Sequence, residues 1–145
     1  MAETVLTNMT MLEVDGKVLV IDRIKKFQGI AFPGGKVESG ESIYDSAIRE
    51  FWEETGLRLL ALESRGISYW EGEDGFKYFV FLYKATDYIG ELKTATDEGN
   101  VFWLDKKELE SCKLAPHMDE YLQLFEKGYS ECFYTFKDDY VPHFR

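Results

Sequence analysis

Three glutamates, Glu50, Glu53 and Glu54, stand at i, i+3 and i+4 in a stretch with helical periodicity, so their carboxylates can converge on one helix face. Like charges at that spacing destabilise a helix by roughly a few tenths of a kcal/mol each. Arg49 reaches Glu53 at i+4, but one guanidinium does not neutralise three carboxylates. A divalent cation does, and clustered oxygen ligands suit hard ions such as Mg²⁺ or Mn²⁺. A Glu-Glu pair alone is ordinarily a solvated helix face. Here Phe32-Pro33-Gly34-Gly35 comes first, a glycine-rich stretch whose backbone N–H groups and a carbonyl can lie close to phosphate and metal.

Local sequence says how these residues are positioned. Ser42 with Asp45 opens a helix in the manner of a capping box, and Gly56 is placed to stop it, so a helix is expected over Ser42 to Thr55. Its apolar stripe is Tyr44, Ala47, Ile48, Phe51 and Thr55, leaving Ser46, Arg49, Glu50, Glu53 and Glu54 on the other side. Ahead of it, Thr4 to Val14 reads as a strand, Asp15-Gly16 as a turn and Lys17 to Asp22 as the hairpin partner. A short strand from Gly29 should stop at Pro33 and run into a loop. Leu57 to Arg65 and Phe76 to Lys84 read as extended, Val101 to Leu104 as a short strand, and Glu108 to Cys112 as a helical turn. His117 to Lys127 carries Met118, Tyr121, Leu122 and Phe125 at helical spacing. The aromatic tail from Tyr129 matches no element clearly. Strands, helix, strands, helix in that order imply a mixed sheet with helices packed on it.

Composition bounds the partners. The 145 residues suit one domain, 1–145, and 45% apolar content is enough for a packed core. A formal charge of −10 repels nucleic-acid backbones and anionic membranes, so neither a nucleic-acid polymer nor a membrane is expected as partner. It also disfavours a phosphate-rich small molecule unless a cation mediates, which the glutamate cluster would provide. Cys112 and Cys132 form no CxxC pair and suggest a reducing compartment. No signal peptide or apolar run of membrane length is present in the sequence, and a cytoplasmic location is expected. A homodimer stays open.

The stretch from 35 to 57 resembles the Nudix box: Gly35, Glu41, Arg49, Glu50, Phe51, Glu53, Glu54, Gly56 and Leu57 fill its required places. Its seven polar or Gly positions would coincide by chance at roughly 10⁻⁸ to 10⁻⁹ per starting point, at average residue usage. Phe51 stands where the family more often has an aliphatic residue. The box covers 23 residues, 35 to 57, about a sixth of the chain. The chain is therefore identified as a member of the Nudix (MutT-like) hydrolases. The resemblance implies an α/β/α sandwich around a mixed sheet, and Mg²⁺-dependent cleavage of a diphosphate linkage in a nucleotide-like small molecule.

The same resemblance implies roles. Glu50, Glu53 and Glu54 would be metal ligands, with the Gly34 carbonyl beside them, and Arg49 would orient the carboxylates. Glu41 would brace the loop. With the cation neutralising charge on the phosphates, a water would attack phosphorus in line after losing its proton to Glu50 or Glu53. Some relatives use an acidic residue from a later loop, and Asp97 or Glu98 fits that position, with Glu98 taken as a further metal ligand. Arg23 and Gly35 would meet substrate phosphate, Phe32 would line the nucleoside pocket, and Asn8 would read a base edge. Trp70, Tyr69, Trp103 and Met118 are stacking candidates, although each such residue is more often core. His117 and His143 have no evident partner in the sequence. Leu6-Thr7-Asn8-Met9 with the Phe32-Pro33-Gly34-Gly35 run looks most like bacterial members described as 8-oxo-dGTP diphosphatases, which sanitise the nucleotide pool. ADP-ribose, nucleotide-sugar and dinucleoside-polyphosphate pyrophosphatases are the alternative within the family. An inactive nucleotide-binding regulator is the alternative outside catalysis, disfavoured because no box carboxylate is missing.

Overall fold

The computed structural model describes residues 2–145. β1 (Thr4–Val14) turns at Asp15-Gly16 into β2 (Lys17–Arg23), followed by β3 (Gly29–Ala31) and β4 (Gly34–Lys36). Then come α1 (Ile43–Thr55), β5 (Leu57–Leu59), β6 (Glu63–Glu71), β7 (Lys77–Ala85), β8 (Tyr88–Gly90), β9 (Ala95–Thr96) and β10 (Gly99–Asp105). A 3₁₀ segment at Lys106–Ser111 leads to α2 (Met118–Lys127). The chain closes with β11 (Glu131–Thr135), a 3₁₀ turn at Phe136–Asp138 and β12 (His143–Phe144).

Among the described residues one ten-stranded sheet has the order β12-β11-β6-β7-β1-β2-β10-β9, with β3 paired to β2 and β4 to β1. It is mixed: β1 runs parallel to β7 and β11 parallel to β6, while the other pairs are antiparallel. β5 and β8 form a separate two-stranded ribbon. Strand register sorts side chains by face. Asn8 lies opposite Phe81 in the β1–β7 pairing, and the Asn8 amide donates to Ser46 Oγ of α1, so α1 covers that face. Tyr134, Trp70 and Tyr78 form a row pointing the other way, and there α2 packs, with His117 stacked over Tyr134. Helices on opposite faces of a mixed sheet make the expected α/β/α layering.

The core is apolar and dense. Leu12, Val18, Leu19, Val20, Leu82, Leu124 and Phe51 have no exposed surface. Phe51 is wholly buried in this core, and burying such a side chain contributes about 2–3 kcal/mol.

The α1 boundaries follow the capping signals: Ser42 Oγ accepts from the Asp45 N–H, and Gly56 takes a left-handed conformation (φ 80°) while donating to Trp52 O. Three local expectations are corrected. Gly34-Gly35-Lys36 is a strand, because Asn8 and Met9 of β1 offer an unpaired edge to it. Ser46 is buried because Asn8 needs a hydrogen-bond partner, while Tyr44 of the expected apolar stripe stays 39% exposed, its hydroxyl accepting from the Leu62 N–H. The tail is part of the sheet, since β11 extends β6 in parallel and buries Cys132 and Tyr134.

Candidate functional site

The site is assembled by α1 lying against β4. Pairing of β4 with β1 brings Gly35 beneath the α1 carboxylates, where a Cβ at residue 35 would occupy the volume of the Glu50 carboxyl group. Only glycine allows this approach. The Gly34 N–H donates to Glu54 Oε2 at 3.4 Å.

Arg49 organises the outer part of the cluster. Its Nε and one terminal nitrogen hold both oxygens of Glu41, at 2.7 and 2.9 Å. The other terminal nitrogen bonds Glu50 Oε1 at 2.9 Å and Glu53 Oε2 at 3.2 Å, and lies 3.6 Å from Glu38. Arg49 also donates to the Lys36 carbonyl at 3.1 Å, tying the helix to the end of β4. The bidentate hydrogen bond that Arg49 donates to Glu41 raises the guanidinium pKa, and the same contact lowers that of Glu41. Glu41 also accepts from the Glu38 N–H, closing the turn before α1. Glu38 and the Lys36 carbonyl escaped the sequence reading. Their only signal was position inside the box, and neither is a required residue there.

The inner part is electrostatically strained. Desolvation raises the pKa of Glu54 to about 8, helped by the negative charges of Glu98 and Glu50. Desolvation also raises that of Glu50, against the opposing pull of Arg49. Among the described residues no three acidic, imidazole or thiol side chains are already gathered round one point for a metal ion. Arg49 draws Glu50 and Glu53 to one side and Glu54 turns in toward Gly34. The donor set still fits a hard cation. It consists of carboxylate oxygens, Glu50 Oε2 and Glu53 Oε1 take no hydrogen bond among the described residues, and the like-charge penalty on Glu54 is one that a divalent ion removes.

A second arm reaches this cluster from the sheet. Arg23, at the end of β2, lies 3.5 Å from Glu98, which precedes β10, and both charges act on Glu54. Glu98 thus stands near the helix carboxylates, while Asp97 is simply exposed. Asn8 pairs with Gly35 across β1 and β4, and both it and Phe32 are enclosed. Phe32 is 1% exposed and meets Phe125 edge-on at 5.4 Å. Asn8 is 3% exposed, with its Oδ1 lacking a hydrogen bond. The aromatic candidates are dispersed: Tyr69 stacks on Phe79, Trp70 lies on the opposite face beside Phe76, Trp103 contacts Tyr88, and Met118 is fully buried. The histidines do have partners. His117 lies 3.7 Å from Glu120, which raises its pKa, and His143 bonds Asp138.

No helix of the described residues is long and apolar enough to cross a membrane. The family model of the NUDIX domain matches residues 5–125. The Nudix hydrolase YvcI of Bacillus subtilis is 33% identical over 138 residues, covering 92% of this chain and 85% of that protein. An ADP-ribose pyrophosphatase of Methanocaldococcus jannaschii is 33% identical over 102 residues, 68% of this chain and 60% of that protein. The crystal structure of the MutT protein from Bacillus halodurans superposes with a TM-score of 0.76 at 26% identity, covering 97% of this chain and 96% of that one. A carboxylate helix held against a glycine strand, in a fold shared with these proteins, places the chain in the Nudix family of hydrolases, pyrophosphatases that act on nucleoside-diphosphate-linked substrates.

Proposed function

We propose that this Nudix hydrolase uses Mg²⁺, with Mn²⁺ as a substitute, to cleave a nucleoside triphosphate such as 8-oxo-dGTP into monophosphate and pyrophosphate. The observation that carries the metal-dependent reading is the Glu54 carboxyl, pushed to about 8 by burial beside Glu98 and Glu50 in a cluster one cation would relieve. A bound divalent ion would supply charge neutralisation on the phosphates and acidify a water molecule. Glu50, Glu53, Glu54, Glu98 and the Gly34 carbonyl are the groups that would hold it. Arg49 occupies one oxygen of Glu50 and one of Glu53, leaving the second oxygen of each to accept a proton. Arg23 supplies positive charge beside the carboxylates, where a substrate phosphate would displace Glu98 from it. A cytoplasmic role in clearing oxidised nucleotides fits this chemistry.

The choice of base rests on likeness alone. The MutT likeness favours an oxidised nucleoside triphosphate, and the ADP-ribose pyrophosphatase relative favours ADP-ribose as the second reading. A panel of 8-oxo-dGTP, the ordinary dNTPs, ADP-ribose and a nucleotide sugar, with products resolved by chromatography, tests both. Highest kcat/KM on 8-oxo-dGTP with pyrophosphate as product is the expected result. Preference for ADP-ribose would replace the substrate, and full activity in excess EDTA would remove the metal from the mechanism.

A further inference from the structure

The last turn of α1 carries Glu53 and Glu54 at the negative end of the helix and has no basic residue of its own. A cation reaches it from the segment between β8 and β10, residues 91 to 98. Lys93 touches that turn in three ways. Its N–H donates to the Thr55 carbonyl at 2.7 Å, and its Nζ donates to the Glu53 carbonyl at 3.5 Å. The same ammonium lies 5.4 Å from the centre of the Trp52 ring, which is 52% exposed. Two of the carbonyls that a helix end leaves unpaired are thereby satisfied by one residue. Beside it, Gly56 lets the chain pass so close that a Cβ there would collide with the Glu91 carbonyl oxygen.

Five residues after Lys93 the same segment delivers Glu98, whose charge acts on Glu54. The Glu98 side chain is about half exposed, so packing does not hold it. Its place is set by fastenings of the backbone. The Glu98 N–H donates to Thr96 Oγ1, its carbonyl accepts from the Ile24 N–H, and the Thr94 carbonyl accepts from the Val101 N–H. These bonds tie the far end of the segment to the sheet, and Lys93 ties the near end to the helix that bears the other carboxylates.

We propose that Lys93 is a positioning residue: by fastening this segment to the last turn of α1 it sets the approach of Glu98 to Glu54, and with it the geometry in which the four carboxylates take a divalent cation. The inference rests on the reading of the carboxylate cluster as a metal site. Charge alone predicts the reverse. A lysine near a metal site repels the metal, so its removal would tighten binding. Positioning predicts that binding weakens, and that it does so only while Glu98 is present to be positioned.

The test measures Mn²⁺ dissociation constants by electron paramagnetic resonance of the free ion, in wild type, Lys93→Met and Lys93→Arg, and with each combined with Glu98→Gln. Methionine keeps the length of the side chain and removes its charge. Lys93→Met is expected to weaken Mn²⁺ binding about three- to fivefold, with the thermal midpoint in EDTA near wild type. Lys93→Arg should bind as wild type does. In Glu98→Gln, which retains Glu50, Glu53 and Glu54, binding should be weaker and Lys93→Met should add no further loss. Unchanged or tighter binding in Lys93→Met overturns the proposal, as does an equal loss in the Glu98→Gln background. Wild type that binds no Mn²⁺ brings down the metal site itself and Lys93 with it. Wild-type affinity in Glu98→Gln removes Glu98 from the site, and the positioning role goes with it while the box carboxylates stand.

Discussion

Arg49 and Glu54 divide the work of the cluster between them. Arg49 spreads its hydrogen bonds over Glu41, Glu50 and Glu53, so those carboxylates are held by a positive charge. Glu54 accepts a long hydrogen bond from the Gly34 N–H and faces the negative charges of Glu98 and Glu50, which outweigh the pull of Arg23. Removing a carboxylate from such a site removes charge complementarity without opening the core. Glu53→Gln is expected to reduce kcat by roughly 100-fold or more while the thermal midpoint stays near wild type. Comparable turnover in the variant would argue against a metal site there. The Glu54 shift also has a sign that can be measured. In the unfolded chain this carboxyl titrates near its ordinary 4.5, and in the folded, metal-free protein at about 8. Between those values the folded state keeps a proton that the unfolded state has lost. Stability therefore falls as pH rises through that window. In EDTA the midpoint of wild type should drop between pH 5 and pH 8, with a shallower drop in Glu54→Gln. Equal slopes in the two proteins would show that Glu54 is not the group responsible.

At the scale of elements, α1 depends on its ends as much as on its stripe. The Ser42 hydroxyl satisfies one of the unpaired N–H groups of the first turn, and that turn follows the loop that Glu41 and Arg49 hold. Ser42→Ala is expected to cost about 1 kcal/mol, visible as a lower urea midpoint at unchanged m-value. A loss below about 0.3 kcal/mol would mean that the Arg49–Glu41 pair alone secures the helix start. β4 contributes differently. Its three residues pair with Thr7, Asn8 and Met9, which presses Gly35 against Glu50 and makes a strand of what composition alone describes as a loop. The hydrogen bonds of an available edge outweigh the weak strand preference of glycine.

For the whole molecule, the tail decides how one edge of the sheet is finished. β11 and β12 cover the side of β6 away from β7, and Cys132 comes to lie wholly inside, its thiol pushed up to about 11 by desolvation. Cys112, in the segment between the 3₁₀ turn and α2, is only half-buried. Ellman's reagent should therefore titrate one thiol quickly in the native protein and the second only on unfolding. Two fast thiols would mean that the β11 edge opens readily in solution.

Much of this was legible in the chain by itself. The spacing of Arg49, Glu50, Glu53 and Glu54, the Ser42 cap and the Gly56 stop are local patterns, and local patterns set which residues share a helix face and where the helix ends. The same holds for the β1–β2 hairpin, whose turn residues and alternation lie within a short window. Tertiary structure decided what depends on partners distant in sequence. Asn8, a candidate to read a base edge, lies buried with its amide nitrogen bonded to Ser46, 38 residues away. Phe32 was assigned to the nucleoside pocket, yet the arrival of α2 encloses it against Phe125. The three aromatic candidates Tyr69, Trp70 and Trp103 are separated because a side chain's neighbours depend on which strands pair and in what register. The exposed Trp52 and the Lys93 ammonium above it could not be read at all from sequence, since exposure depends on what the rest of the chain leaves uncovered.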